Sequence, residues 1–156
     1  VGLGFICHEL AHRYVARRYG YSAEFQIWWY GLMIALLLAL ITQGQFIFAA
    51  PGAVYVMPMV RSYGGDYTIN RREMGRISIA GPLANIAIGA GFFMMTNLGG
   101  ILGVIGLYGF TVNLFLAAFN LLPFGPLDGR KVYSWNPIIW AIITIPVWAV
   151  NVFLFI

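Results

Sequence analysis

The chain has two histidines, and both fall in Cys7-His8-Glu9-Leu10-Ala11-His12, which reads H-E-x-x-H. Residues four apart on a helix share a face, so His8 and His12 can reach one metal ion. Glu9 lies beside them, placed to take a proton from a water at that metal. Two neutral imidazoles, a carboxylate base and an open coordination position are the parts of a hydrolytic zinc site. The pattern therefore predicts metal-assisted hydrolysis, with His8 and His12 holding one Zn2+ ion and Glu9 as general base. The flanking Gly4-Phe5-Ile6 and Leu10-Ala11 are apolar, which argues against an exposed amphipathic helix that matches by chance.

A catalytic zinc takes three protein ligands. With no further histidine, the third is an acid or Cys7. The acids to consider are Glu24, Asp66, Glu73 and Asp128. A metzincin would carry glycine and histidine where Val15 and Arg18 stand, so that class is excluded. Glu24 and Glu73 sit in polar or interfacial sequence, where a solvated carboxylate is ordinary. Cys7 is the lone cysteine, which excludes an internal disulfide, and an inert packed thiol is its simpler use. Asp128 differs, because it ends a stretch, Ile77 to Leu127, without Asp, Glu, Lys, Arg or His. A charge in apolar surroundings costs about 2.5–3.5 kcal/mol on insertion scales and wants a partner. Pro123, Gly125 and Pro126 interrupt the helix before it, and freed backbone at membrane depth is tolerated where it lines a cavity. An ion pair with Arg130 or Lys131 is the competing use of Asp128.

The elements that must position these groups are membrane helices. The chain is 61% hydrophobic and 9% charged, with a mean hydropathy of +0.82, which excludes an ordinary soluble domain. Its 156 residues fit one domain, and helices are expected at about 1–19, 32–49, 77–96, 98–119 and 137–156. The segment 32–49 either re-enters or crosses; the polar Thr42-Gln43-Gly44-Gln45 break and Pro51-Gly52 favour re-entry. Ala53–Met57 has strand-like residues and ends at Pro58, and a polar centre is expected from Arg61 to Arg76 with a turn at Ser62–Asp66. Gly99, Gly103, Gly106 and Gly109 offer small faces for close helix packing. Only seven residues precede His8, about 10 Å of helix, so the first helix is expected to begin upstream of Val1. The net charge of +4 is read as topology rather than nucleic-acid binding. Its basic residues cluster at Arg13/Arg17/Arg18, Arg61/Arg71/Arg72/Arg76 and Arg130/Lys131, and the positive-inside rule favours the cytosol for all three. His12 and Asp128 both lie just inside that boundary.

H-E-x-x-H in a membrane helix, followed by Asn120-Leu121-Leu122-Pro123 and Leu127-Asp128-Gly129, resembles the site-2 protease family of intramembrane zinc metalloproteases. Gly81-Pro82-Leu83-Ala84-Asn85 is a further family-like element, and the resemblance covers nearly the whole chain. It implies an all-α polytopic membrane protein, a transmembrane helix bundle with a short membrane-associated extended or β-hairpin segment, for which Ala53–Met57 or Glu24–Tyr30 could serve by strand addition. It implies that His8, His12 and Asp128 hold zinc, that Glu9 activates water, and that Asn85 and Asn120 are polar groups near the site. Those two would contact the substrate backbone or the oxyanion, an interhelical hydrogen bond being the equal alternative. The expected activity is endopeptidase cleavage of transmembrane protein substrates within the lipid bilayer. The expected location is a prokaryotic cell membrane, multi-pass, with the active site near the cytosolic face. A catalytically silent homologue that acts as a membrane-helix-binding scaffold is the rival reading. Oligomeric state is not set by the sequence.

Overall fold

A computed structural model describes residues 2–27, 29–42, 52–58 and 69–155. The motif helix α1 runs Gly2–Arg18, and Gly20, at φ 78°, turns the chain into strand β1, Tyr21–Ile27. Helix α2, Trp29–Ile41, follows, and strand β2, Gly52–Pro58, pairs antiparallel with β1 from Tyr21↔Pro58 to Ile27↔Gly52. The two expected extended segments are thus the two strands of one hairpin. One boundary is corrected: Trp29 and Tyr30 open α2 rather than extending β1. The helix expected at 32–49 is found over 29–41, where thirteen residues span about 20 Å against the roughly 30 Å of a bilayer core. Gln43, Gly44, Gln45 and Pro51, on which its crossing or re-entry turns, lie outside the described residues. So do Arg61 and the turn at Ser62–Asp66.

Helix α3, Arg71–Met95, begins six residues earlier than its apolar run, because Asn70 caps it. The Asn70 Oδ1 accepts from the Arg72 N–H at 3.0 Å, and Glu73 in the first turn suits the positive end of the helix. A 3-10 turn, Thr96–Leu98, leads to Gly99 and Gly100, both at positive φ, which reverse the chain into helix α4, Gly100–Asn120. Gly99 therefore makes the turn rather than a packing face. The other glycines do pack: a Cβ on Gly106 would meet the Phe92 carbonyl oxygen at 2.8 Å, and one on Gly109 would enter the Phe92 ring. Their bare backbones let α4 lie against α3.

Helix α5, Asp128–Trp135, was hidden in the sequence behind Pro123-Phe124-Gly125-Pro126. Asn136 then caps helix α6, Pro137–Phe155, with its Oδ1 accepting from Ile138 N at 3.0 Å and Ile139 N at 3.1 Å. Among the described residues, three stretches are long and apolar enough to cross a membrane: Arg71–Leu98, Gly100–Asn120 and Pro137–Leu154. Large side chains such as Ile101, Tyr108, Ile138, Ile142 and Phe153 point outward, as a lipid-facing surface does. The core has two parts. Ala16, Ala23 and Ile77 join α1, the hairpin and α3, while Leu114, Ala117, Ala118, Leu121 and Val147 join α4 and α6.

Candidate metal centre

Helix α1 has two unlike sides. Leu3, Ile6, Leu10 and Tyr14 are exposed, whereas Gly4, His8, His12 and Ala16 form a buried stripe one turn apart. Helix α3 answers with its own stripe at intervals of four, Ile77, Gly81 and Asn85, running in the opposite direction. His12 Nδ1 donates to the Ile77 carbonyl at 2.7 Å, and His8 Nδ1 donates to Asn85 Oδ1 at 2.8 Å. Gly81 lies between these bonds. A Cβ there would fall 2.6 Å from His8 Nε2 and closer still to His12 Nε2, so only glycine leaves both imidazoles their place. Two residues around Gly81 help shape this stripe. Pro82 lacks the N–H that would bond the Ser78 carbonyl, and Asn85 is fully buried.

Asp128 is the first residue of α5 and is 8% exposed. Its Oδ2 lies 2.9 Å from His12 Nε2 and 3.2 Å from His8 Nε2, and the two Nε2 atoms are 3.0 Å apart. Two glycines set α5 in place. A Cβ on Gly129 would run into the Leu121 and Leu122 carbonyls at the end of α4, and one on Gly75 would run into Trp135. The α5 helix is thus pressed against α4 at one end and α3 at the other, with Val132 fully buried between them. The competing partner of Asp128 is also present: Lys131 Nζ lies 3.6 Å from Oδ1, the oxygen turned away from the histidines. One carboxylate oxygen meets the imidazoles and the other meets the cation.

The donor set fits a zinc ion. Both Nδ1 atoms have acceptors, so the Nε2 lone pairs and a carboxylate oxygen converge, and three electron-pair donors at such distances call for a cation between them. Ligand atoms of a tetrahedral zinc lie about 3.3 Å from one another, given bonds of about 2.0–2.1 Å, and the observed separations of 2.9–3.2 Å approach this. Among the described residues, His8, His12 and Asp128 form the one group of three candidate ligands. Glu9 is half-buried on the same helix, directly after His8.

The other expected residues lie elsewhere or do something else. Glu24 is exposed on β1 opposite Tyr55. Glu73 accepts a short hydrogen bond from the Tyr21 hydroxyl, which raises that phenol's pKa. Cys7 is half-buried and free, and Asp66 lies outside the described residues. Asn120 donates from Nδ2 to the Leu116 carbonyl of its own helix at 3.0 Å. Asn85 makes the interhelical bond that was its alternative use. Sequence reasoning missed the Ile77 carbonyl, the Gly81 clearance and Asn113, a buried asparagine on α4 whose Oδ1 is 3.4 Å from Asn85 Nδ2. The one available signal for Asn113 was a polar residue within an uncharged span.

No family model matches the chain, and no solved structure matches it. Curated relatives do. "Putative zinc metalloprotease MJ0611" of Methanocaldococcus jannaschii is 48% identical over 149 residues, covering 94% of this chain and 73% of that protein. "Putative zinc metalloprotease Rip3" of Mycobacterium tuberculosis is 32% identical over 141 residues, 84% of this chain and 29% of Rip3. "Zinc metalloprotease MJ0392" of M. jannaschii is 32% identical over 130 residues, 81% of this chain and 30% of that protein. The chain thus spans under a third of the length of the latter two. These relatives set the class, that of zinc metalloproteases. The chain belongs to the site-2 protease family of such enzymes.

Proposed function

We propose that this protein is a zinc-dependent intramembrane endopeptidase that cuts peptide bonds in or near transmembrane segments of membrane-protein substrates. The observation that carries the reading is the convergence of His8 Nε2, His12 Nε2 and Asp128 Oδ2 beside Glu9, among helices apolar enough to cross a membrane. The relatives' names support the hydrolase class. His8, His12 and Asp128 would hold one Zn2+ ion, which would supply Lewis-acid polarisation of a carbonyl and a lowered pKa for a water. Glu9 takes the proton from the attacking water and passes it to the leaving amine. Asn85 orients His8, and Asn120, at the end of α4 before the loop to Asp128, contacts the substrate backbone. A substrate helix hides its carbonyls in hydrogen bonds and must unwind locally. The β1–β2 hairpin offers the unwound segment a strand to pair with. Arg13, Arg17 and Arg18 end α1, Arg71, Arg72 and Arg76 begin α3, and Arg76 Nη1 reaches the Tyr19 hydroxyl at 3.1 Å. That basic end supports a site near the cytosolic face of a multi-pass protein.

The test is cleavage of a membrane-protein substrate by the reconstituted protein. Glu9→Gln is expected to lower the rate by about 10²–10⁴-fold while zinc stays bound. Undiminished cleavage by that variant would sink the mechanism. Substrate capture without cleavage by the wild type would favour the scaffold.

A further inference from the structure

We propose that Asn113 is a positioning residue of the metal centre: through Asn85 it fixes which nitrogen of His8 faces the metal. The proposal rests on the zinc reading above and concerns the parts of the chain that hold the ligand in place.

The two histidines are oriented by unequal means. His12 Nδ1 meets a backbone carbonyl, which can only accept, so Nδ1 carries the proton and the Nε2 lone pair is left for the metal. His8 Nδ1 meets a side-chain amide, which can turn either its oxygen or its NH2 toward the ring. Were the NH2 presented, the imidazole would keep its proton on Nε2, where the metal should bind. Something must set the direction of the Asn85 amide. The chain of hydrogen bonds supplies it. Asn113 Nδ2 bonds the Gly109 carbonyl at 2.8 Å, and that oxygen accepts only. Asn113 must therefore turn its Oδ1 toward Asn85, 3.4 Å away. Asn85 must then present its NH2 to Asn113 and its Oδ1 to His8, 2.8 Å away. Polarity passes without ambiguity from a backbone carbonyl on α4, across α3, to a ring nitrogen on α1. All three side chains are at most 3% exposed, so water does not substitute for a link. The crossing is tight as well: a Cβ on Gly4 of α1 would lie 2.5 Å from Asn113 Oδ1.

The test is zinc affinity of the detergent-solubilised full chain, measured by chelator competition. Removing a partner one step from a metal ligand weakens the metal by about 10–100-fold, and Asn113, one step further out, should sit near the lower figure. Asn113→Leu and Asn113→Ala take away the acceptor that orients Asn85 and are expected to lose about 10-fold. Asn113→Asp keeps an acceptor toward Asn85 and is expected to bind zinc better than Asn113→Leu. A packing role predicts the reverse order, since leucine suits an apolar helix and aspartate does not. Wild-type affinity in the Leu or Ala variant, or Leu above Asp, overturns the proposal. The wild type gives a test without substitution. Its two histidines, labelled with 15N in the ring, should both show a protonated Nδ1 and a metal-bound Nε2 in the zinc-loaded protein. His8 bound through Nδ1 overturns the relay. A wild type that binds no zinc fails the metal reading itself, whereas equal binding by wild type and variants fails the relay alone.

Discussion

Two regions of the bundle bury polar groups among apolar helices, and they use them in opposite ways. Between α4 and α6, donors are matched to carbonyls. Trp140 Nε1 bonds the Leu121 oxygen at 2.7 Å, Trp148 Nε1 bonds the Ala118 oxygen at 3.1 Å, and Asn151 Nδ2 reaches the Leu114 oxygen at 3.3 Å. The last carbonyls of a helix lack partners of their own, so the two indoles finish α4 from its neighbour. Thr144 Oγ1 and Asn151 Oδ1 have no partner among the described residues. They lie two turns apart on α6, about 10 Å along its axis, and do not converge. Between α1, α3 and α5, the imidazole N–H groups are turned outward to acceptors, and three electron-pair donors are left facing one another. Unsatisfied polar groups buried among apolar side chains cost roughly 2–7 kcal/mol. The contrast separates polar atoms that join helices from polar atoms placed to hold a cation.

The sharpest way to break the contrast is to remove a converging donor. Asp128→Ala should abolish zinc retention and cleavage, with the helical circular-dichroism signal kept. Retained stoichiometric zinc, read by atomic absorption, would mean that the centre is not this one. Crowding the convergence comes next. Gly81→Ala puts a methyl on both Nε2 atoms, and overpacking of about 1–3 kcal/mol should weaken zinc by about 5–150-fold. Gly91→Ala on the same helix meets nothing within 4 Å and should bind zinc like the wild type. Equal affinities for these two variants would remove Gly81 from the site. In the other region the effect should fall on stability alone. Trp148→Phe loses the bond to Ala118, worth about 0.5–1.5 kcal/mol, and should lower the thermal midpoint without changing zinc affinity. The smallest effect is expected at the hairpin. Tyr21→Phe loses its bond to Glu73 and should cost about 1 kcal/mol or less, again with zinc affinity intact.

The sequence made the motif legible because two side chains four apart on a helix carry their geometry in their spacing. Asp128 was legible because a charge at the end of an uncharged stretch needs a partner. The helices over 100–120 and 137–155 followed from apolar length, and β2 from its β-branched and aromatic residues, whereas β1 was expected only from the family resemblance. What stayed hidden depends on the backbone. The Ile77 carbonyl that orients His12 has no side-chain signature, since any residue there supplies the same oxygen. Gly81 looked like part of a motif, but its reason, clearance for two imidazoles from another helix, exists only once α1 and α3 meet. Helix α5 was hidden because eight residues after two prolines give too short a pattern to read. Its position is set by Gly129 and Gly75, whose contacts are distant in sequence.

The 116 residues between His12 and Asp128 have a consequence for the newborn protein. At roughly 5–20 residues per second, a ribosome needs about 6–23 s to go from one to the other. During that time α1 carries two of the three candidate ligands, and α5 cannot dock until Gly75 of α3 and the end of α4 are in place to receive Trp135 and Gly129. On the proposed function, a half-made chain lacks its third ligand, and cleavage has to wait until α5 docks.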